Sequence, residues 1–308
     1  MKILITGGAG FIASQIQDAY LQAGHDVVVV DDLSHGRREN LNPGAKFHQV
    51  DIRSPELERL IAAEKPEVVS HHAAQMEVKR SVDDPIFDAE VNVLGGLRVL
   101  RSAVEAGARK VIFSSSGGTV YGEQKVFPAT EEHTTDPLSP YGVTKLAFEK
   151  YLKFFHVQYG IETVSLRYAN IYGPRQDPHG EAGVVAIFAQ KFLAGMAPVI
   201  YGSGTNTRDY VYVGDVVDAN VRALGNVPSG AYNIGTATET DVLTLVRILR
   251  ELTGSSLEAQ HGPARPGEQL RSSLSPRLAG EKLGWTPRMA LRDGLARTVE
   301  FFRTKASA

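Results

Sequence analysis

The chain has 308 residues, 43% of them hydrophobic and 22% charged, with a formal net charge of −2 and no cysteine. This is enough chain for a large nucleotide-binding domain and a second lobe, and the composition is that of an ordinary globular protein rather than a disordered or fibrous one. The near-neutral charge offers no basic field for nucleic acid, the lack of cysteine excludes disulfides and thiol chemistry, and no apolar run is long enough for a membrane helix, so a cytoplasmic protein with neither partner is expected.

Lys2–Thr6 reads as a strand that runs straight into Thr6-Gly7-Gly8-Ala9-Gly10-Phe11-Ile12-Ala13 and a helix over 12–23. Gly7 suits a tight turn, Gly10 lets main chain approach a pyrophosphate, and Ala13 allows close helix–strand packing. The helix N-terminus adds oriented N–H groups and partial positive charge. A second strand over 27–30 ends at Asp31, where a carboxylate takes the ribose hydroxyls of an adenine dinucleotide and repels a 2′-phosphate. Asp32 adds a second negative charge, so NAD is favoured over NADP, and Arg37 and Arg38 read as a solvated loop. Asp51 and Ile52 close a third strand and are placed to flank the adenine. Asp51 equally suits the N-cap of the next helix, Pro55–Glu64.

A strand over 67–71, a long helix over 86–106, a strand over 110–115, a helix over 141–159 and a strand over 163–168 follow. Continuous β-branched strands alternating with helices predict an α/β fold, a doubly wound parallel (Rossmann) sheet, with a smaller, discontinuous α/β substrate-binding lobe. After Tyr172-Gly173-Pro174-Arg175 the pattern turns irregular, with helical runs near 213–224, 244–252 and 291–302. The expected division is 1–172 for the NAD-binding domain with 212–235 returning to it, and 173–211 with 236–308 for the second lobe. The histidines, including His71, His72 and His133, are too scattered to predict a metal site.

Two further motifs carry chemistry. Tyr141-Gly142-Val143-Thr144-Lys145 opens an amphipathic helix, and a spacing of four puts phenol and ammonium on one face, one turn apart. A cation beside a tyrosine favours its phenolate, so Lys145 and the positive nicotinamide ring are expected to lower the Tyr141 pKa. The strand before it ends in Ser114-Ser115-Ser116-Gly117-Gly118-Thr119-Val120-Tyr121-Gly122, small hydroxyl and glycine residues at a strand C-terminus, which faces the ligand crevice in such sheets.

With these motifs, and with His72-Ala73-Ala74, RYANIYGPRQ at 167–176 and RDYVYVGDV at 208–216, essentially the whole chain resembles the extended short-chain dehydrogenase/reductase family, and within it the UDP-glucose 4-epimerases. The resemblance implies Ser116, Tyr141 and Lys145 as the catalytic set. It implies NAD contacts from Gly7, Gly10, Phe11, Ile12, Asp31, Asp32, Ser34, Asp51, Ile52, Ala73, Ala74, Gln75, Asn92, Ser114 and Tyr168, besides Tyr141 and Lys145. For the UDP-sugar it implies Asn170, Arg208 and Arg265 at the diphosphate, Tyr201 and Glu268 at the uridine, and Val185, Ser116 and Ser272 in the pocket. Ser272 falls where relatives restricted to plain hexoses carry a bulky aromatic, which implies room for an N-acetylated sugar.

The implied reaction is oxidation at C4 on bound NAD, rotation of the 4-keto sugar and reduction on its other face, with Tyr141 exchanging the proton. A homodimer packed through helices 86–106 and 141–159 is also implied. Dehydratases of the same superfamily place an acidic pair where this chain has Gly118 and Thr119. A UDP-glucuronate epimerase, a reductase and a non-catalytic nucleotide sensor are the remaining alternatives.

Overall fold

The computed structural model describes residues 1–178, 183–264 and 269–306. The first half builds β1 (Lys2–Thr6), α1 (Ala13–Gln22), β2 (Asp26–Asp31), β3 (Lys46–Gln49), α2 (Pro55–Glu64), β4 (Val68–His71), α3 (Val78–Asp83), α4 (Pro85–Ala89), a π turn over Glu90–Gly95, α5 (Gly96–Glu105), β5 (Lys110–Ser116), α6 (Gly117–Val120), α7 (Pro140–Tyr159) and β6 (Glu162–Tyr168). Then come β7 (Asn170–Tyr172), α8 (Val184–Leu193), β8 (Val199–Tyr201), β9 (Thr207–Tyr212), α9 (Val213–Ala223), β10 (Gly230–Ile234), β11 (Glu239–Asp241), α10 (Val242–Thr253), β12 (Gln260–Gly262), β13 (Arg271–Ser272), α11 (Arg277–Leu283) and α12 (Leu291–Ala306).

Seven parallel strands form the main sheet in the order β10-β6-β5-β4-β1-β2-β3. Its strands are apolar at nearly every position because both faces are covered. Ile3, Ile5, Val27 and Val29 point into the core that includes Ile16, Val216 and Ala219 of α1 and α9. Their neighbours Leu4, Val28 and Val30 enter the opposite core with Leu57, Leu100, Phe148 and Leu152 of α2, α5 and α7. Strand order reverses between β1 and β4, and the crevice at their C-terminal ends is where ligands bind in such sheets.

The second lobe has its own core, in which α8, α10 and α12 pack on Tyr172, Tyr210 and Ile200. The sequence left 184–193 without an element, since Val184–Leu193 is apolar on nearly all sides and shows no helical stripe. The cause is burial of α8 between α10 and α12.

Other elements differ from the sequence expectation. Residues 86–106 lie on one helical run, as the sequence predicts, but it is not uniform: α4 passes through a π turn over Glu90–Gly95 into α5, with helical dihedrals at both joins. Asp51 is not a helix cap: Ser54 caps α2 by accepting from the Glu56 N–H at 3.1 Å, while Asp51 grips Arg53 at 2.7 Å. β10 pairs with β6 in the main sheet, and α11 with Trp285 packs into the core beside α9 and β10, so the stretch 277–285, assigned by sequence to the second lobe, is buried with the first. β7 pairs with β9 in the smaller sheet. No described helix is long and apolar enough to cross a membrane.

Candidate active site

Main chain at the head of the crevice is shaped for close approach. Gly7 has φ +69°, and a Cβ there would lie 2.6 Å from the Ala73 nitrogen, so the β1 and β4 loops can meet only with glycine at 7. The Thr6 hydroxyl accepts from the N–H groups of His72 and Ala73, both at 3.2 Å, and therefore donates its own proton to His71 Nδ1 at 2.7 Å. No described protein group accepts from the N–H groups of Phe11 and Ile12 at the head of α1, the donors a pyrophosphate would take. Asp31 is 7% exposed at the end of β2, its carboxylate accepting from the Ala9 and Leu33 N–H groups at 2.9 and 2.8 Å. Burial raises its carboxyl, and the two backbone bonds oppose this. Each oxygen retains a lone pair for a hydroxyl, so the residues fit an adenine dinucleotide. Asp32 is exposed and holds the Ser34 N–H and hydroxyl, while Asp51 and the buried Ile52 follow β3 in a turn.

His71 is buried between the Phe113 and Phe148 rings, and its imidazole is pushed down to about 3, chiefly by burial and then by the charge of Lys145. Between pH 6.5 and about 3 the unfolded chain therefore binds a proton that the folded one refuses. Stability is full above pH 6.5 and falls as the pH drops through this window. At pH 5 the loss from this group is about 2 kcal/mol. Urea unfolding at pH 7.5 and pH 5 checks it: the drop in the wild type should exceed that in His71→Asn by this amount, and equal drops would contradict it.

The reactive groups meet beside β5 and β6. Ser116 ends β5, and its side chain lies near the Tyr141 phenol in the first turn of α7. Pro140 at the start of that helix and Ser139, whose hydroxyl accepts from the Gly142 N–H, fix where the turn begins. One turn on, Lys145 is buried, donates to the Ser114 carbonyl at 2.8 Å and lies 5.6 Å from the Tyr141 ring centre. Burial pushes its ammonium down to about 8 against the raising influence of Asp88 and Glu149. The Tyr141 phenol is raised, first by burial, with Ser116 opposing and Asp88 adding. This corrects the expectation of a phenol lowered by Lys145, whose hydrogen bond goes to the Ser114 carbonyl instead of the phenol oxygen.

Gly117 belongs to the same constellation, since a Cβ there would meet Leu274 at 2.4 Å, and Asn170 lies across from Gly118. Arg208 on β9 and Ser272 on β13 are register partners and so share one face of the smaller sheet. The Ser272 hydroxyl is buried and accepts from Gln124 at 3.3 Å. Tyr201 is exposed at the end of β8. Arg265 and Glu268 lie outside the described residues.

Two expected contacts change. Val185, placed by sequence in the pocket, is 1% exposed in the core of the second lobe. The Tyr168 ring is packed into the main core with its hydroxyl accepting from Asn220 at 2.9 Å, which leaves only its main chain for a ligand.

Sequence reasoning missed the polar support behind these groups. Ser115, Arg167 and Asn233 are register neighbours across β5, β6 and β10. Arg167 forks onto the Glu149 carboxylate, 2.6 Å at the closest, and donates to the Tyr121 hydroxyl at 2.8 Å, which in turn donates to Asn233 at 2.7 Å. Glu149 stands one turn beyond Lys145 and Arg167 opens the RYAN motif, so proximity to named residues was the available signal. Asp209, 1% exposed, ties β9 to the main-chain N–H groups of Thr236, Ala237 and Leu274 at 2.9, 3.1 and 3.1 Å. Among the described residues no cluster of histidine, aspartate and glutamate could hold a metal ion.

Residues 3–235 match the NAD dependent epimerase/dehydratase family. The chain is 48% identical to a UDP-glucose 4-epimerase of Mycolicibacterium smegmatis, covering 99% of this chain and 100% of that protein. It is similar to the crystal structure of a UDP-glucose 4-epimerase of Thermotoga maritima with UDP-glucose, at a TM-score of 0.98 and 47% identity over 99% of this chain and 100% of that one. A Thermus thermophilus UDP-glucose 4-epimerase in complex with NAD aligns at a TM-score of 0.94 and 45% identity over 98% and 99%. A family match over most of the chain, full-length relatives and a crevice shaped for an adenine dinucleotide agree: the chain belongs to the NAD dependent epimerase/dehydratase family.

Proposed function

We propose that the chain is an NAD-dependent UDP-glucose 4-epimerase, an isomerase that interconverts UDP-glucose and UDP-galactose through a 4-keto sugar. The observation that carries the reading is the meeting of the Ser116 hydroxyl, the Tyr141 phenol and buried Lys145 at the C-terminal edge of β5, in a chain so similar over its full length to proteins of that activity. Bound NAD supplies a reversible two-electron acceptor for the hydrogen on C4. Phe11 and Ile12 N–H groups would hold its pyrophosphate, and Asp31 its ribose.

Tyr141 Oη takes the proton of the sugar 4-hydroxyl and later returns one, assisted by Ser116. Lys145 would hold the nicotinamide ribose, and its ammonium would favour the Tyr141 phenolate once the site is assembled. Asn170, Arg208 and the segment carrying Arg265 and Glu268 grip the nucleotide, while the sugar is gripped loosely enough to turn. A dehydratase is disfavoured by Gly118 and Thr119, since no carboxylate stands there as a second acid and base.

Epimerisation of the N-acetylated pair belongs to the same proposal, because serine at 272 takes less room than an aromatic side chain. UDP-glucose and UDP-N-acetylglucosamine are each incubated with the wild type and with Ser272→Tyr, and the C4 epimers are assayed. The wild type should convert both, and the variant should lose the N-acetylated substrate selectively. Equal losses would remove Ser272 from the sugar site, and no conversion of UDP-glucose by the wild type would overturn the functional reading.

The proposal includes a homodimer acting in the cytoplasm. Val143, Ala147, Tyr151 and Phe154 make a stripe on the outer face of α7, with Val143 and Phe154 half exposed, and Ile86 and Leu94 are exposed on the neighbouring helices. Val99 and Leu100 of α5 are fully buried in the protomer core and add nothing to this surface. Light scattering should give a dimer at micromolar concentration and a monomer for Phe154→Glu. A monomeric wild type would contradict this.

A further inference from the structure

Behind the reactive groups lies a carboxylate that the chemistry above does not use. Asp88, on α4, is fully buried, and three segments converge on it. Gln75, from the loop after β4, donates its side-chain amide at 2.8 Å. Asn92 on the π turn donates at 3.1 Å, and Thr144 on α7 donates its hydroxyl at 2.7 Å. The same Asn92 amide holds the Gln75 main chain from both sides, accepting from its N–H at 2.8 Å and donating to its carbonyl at 3.0 Å. Asn92 thus reaches both the loop and Asp88 from a π turn, a helical irregularity frequent at functional sites.

The electrostatic setting is one-sided. Thr144 immediately precedes Lys145, so Asp88 sits under the turn that carries the ammonium. The charged and titratable groups near that ammonium are Asp88 from α4, Glu149 and Tyr141 from α7, and the neutral imidazoles of His71 at the end of β4 and His72 just after it. Glu149 is already engaged by the Arg167 guanidinium at 2.6 Å. Asp88 has no cation bonded to it among the described residues, only neutral donors. A buried carboxylate without a directly bonded counter-ion is costly even when neutral donors satisfy it.

We propose that Asp88 is a positioning residue for the reaction: its carboxylate pins the first turn of α7, which carries Tyr141 and Lys145, to the Gln75 loop, and its charge acts on the Lys145 ammonium. Burial alone drives Lys145 toward the neutral amine, and a neutral amine would neither hold a ribose as firmly nor favour a phenolate. The inference rests on the role given above to Lys145.

Asp88→Asn separates charge from scaffold. The asparagine oxygen can still accept from Gln75 and Asn92, and its amide can donate to the Thr144 hydroxyl, which turns its own proton to the Tyr141 carbonyl 3.0 Å away. The geometry survives and only the charge is lost. The experiment measures kcat/KM for UDP-galactose from pH 6 to 10 in the wild type, Asp88→Asn and Thr144→Val, with thermal unfolding alongside and Lys145→Met as reference. In Asp88→Asn the alkaline limb should move down by about one unit, with unfolding unchanged. Thr144→Val keeps the charge and should leave the limb where it is. An Asp88→Asn profile that overlays the wild type, or one lowered evenly with no shift of the limb, overturns the proposal. Full turnover in Lys145→Met would instead overturn the reading of the site itself.

Discussion

Tyr141→Phe should lower turnover by roughly 10³-fold, because it removes the oxygen that exchanges a proton with the sugar and little else. The ring remains where it packs beside Lys145, and only the hydroxyl near Ser116 is removed. NAD content and unfolding temperature should stay near those of the wild type. Steady-state rates with both UDP-hexoses, read beside the cofactor absorbance of the purified protein, check this. Retention of more than about a tenth of the activity would mean that another group transfers the proton, as general-base contributions of 10²–10⁴-fold leave no room for so small a loss.

Arg167→Met should have the largest effect on stability. Arg167 and Glu149 are both nearly out of solvent, with side-chain exposures of 7% and 6%, and the guanidinium also holds the Tyr121 hydroxyl. Removing one partner of such a pair strands the other charge and costs about 3–5 kcal/mol, a large share of an ordinary domain's stability. Replacing both, in Arg167→Met with Glu149→Leu, should recover a substantial part, because no bare carboxylate is left beside Ser115. Denaturant unfolding of the two variants checks the ordering. A single variant as stable as the wild type would show that the pair holds little of the sheet edge together.

The main sheet was legible because its physics is local. Continuous apolar runs such as Lys2–Thr6 and the alternation of strand with helix follow from a sheet buried on both faces, and the glycine turn after β1 has few other uses. The reactive set was legible for a related reason: Tyr141 and Lys145 share one helix and Ser116 ends one strand. What escaped was non-local. Asp88 belongs to no motif, and only the fold brings Gln75, Asn92 and Thr144 onto it. Val185 was misplaced because an apolar residue carries no mark of whether it faces a pocket or a core. The upward shift of the Tyr141 phenol in the protein alone escaped because spacing gives the proximity of Lys145 but not the direction of its hydrogen bond, nor the burial that acts on both groups.

The most direct test follows the hydrogen at C4. UDP-galactose carrying deuterium at C4 is incubated in ordinary water with the purified protein and a catalytic amount of NAD, and the products are read by NMR. Removal and return of that hydrogen within one site predicts UDP-glucose with the deuterium still at C4 and no net consumption of NAD. UDP-glucose whose C4 deuterium has exchanged with solvent, or an oxidised or dehydrated sugar accumulating in place of the epimer, would contradict the account.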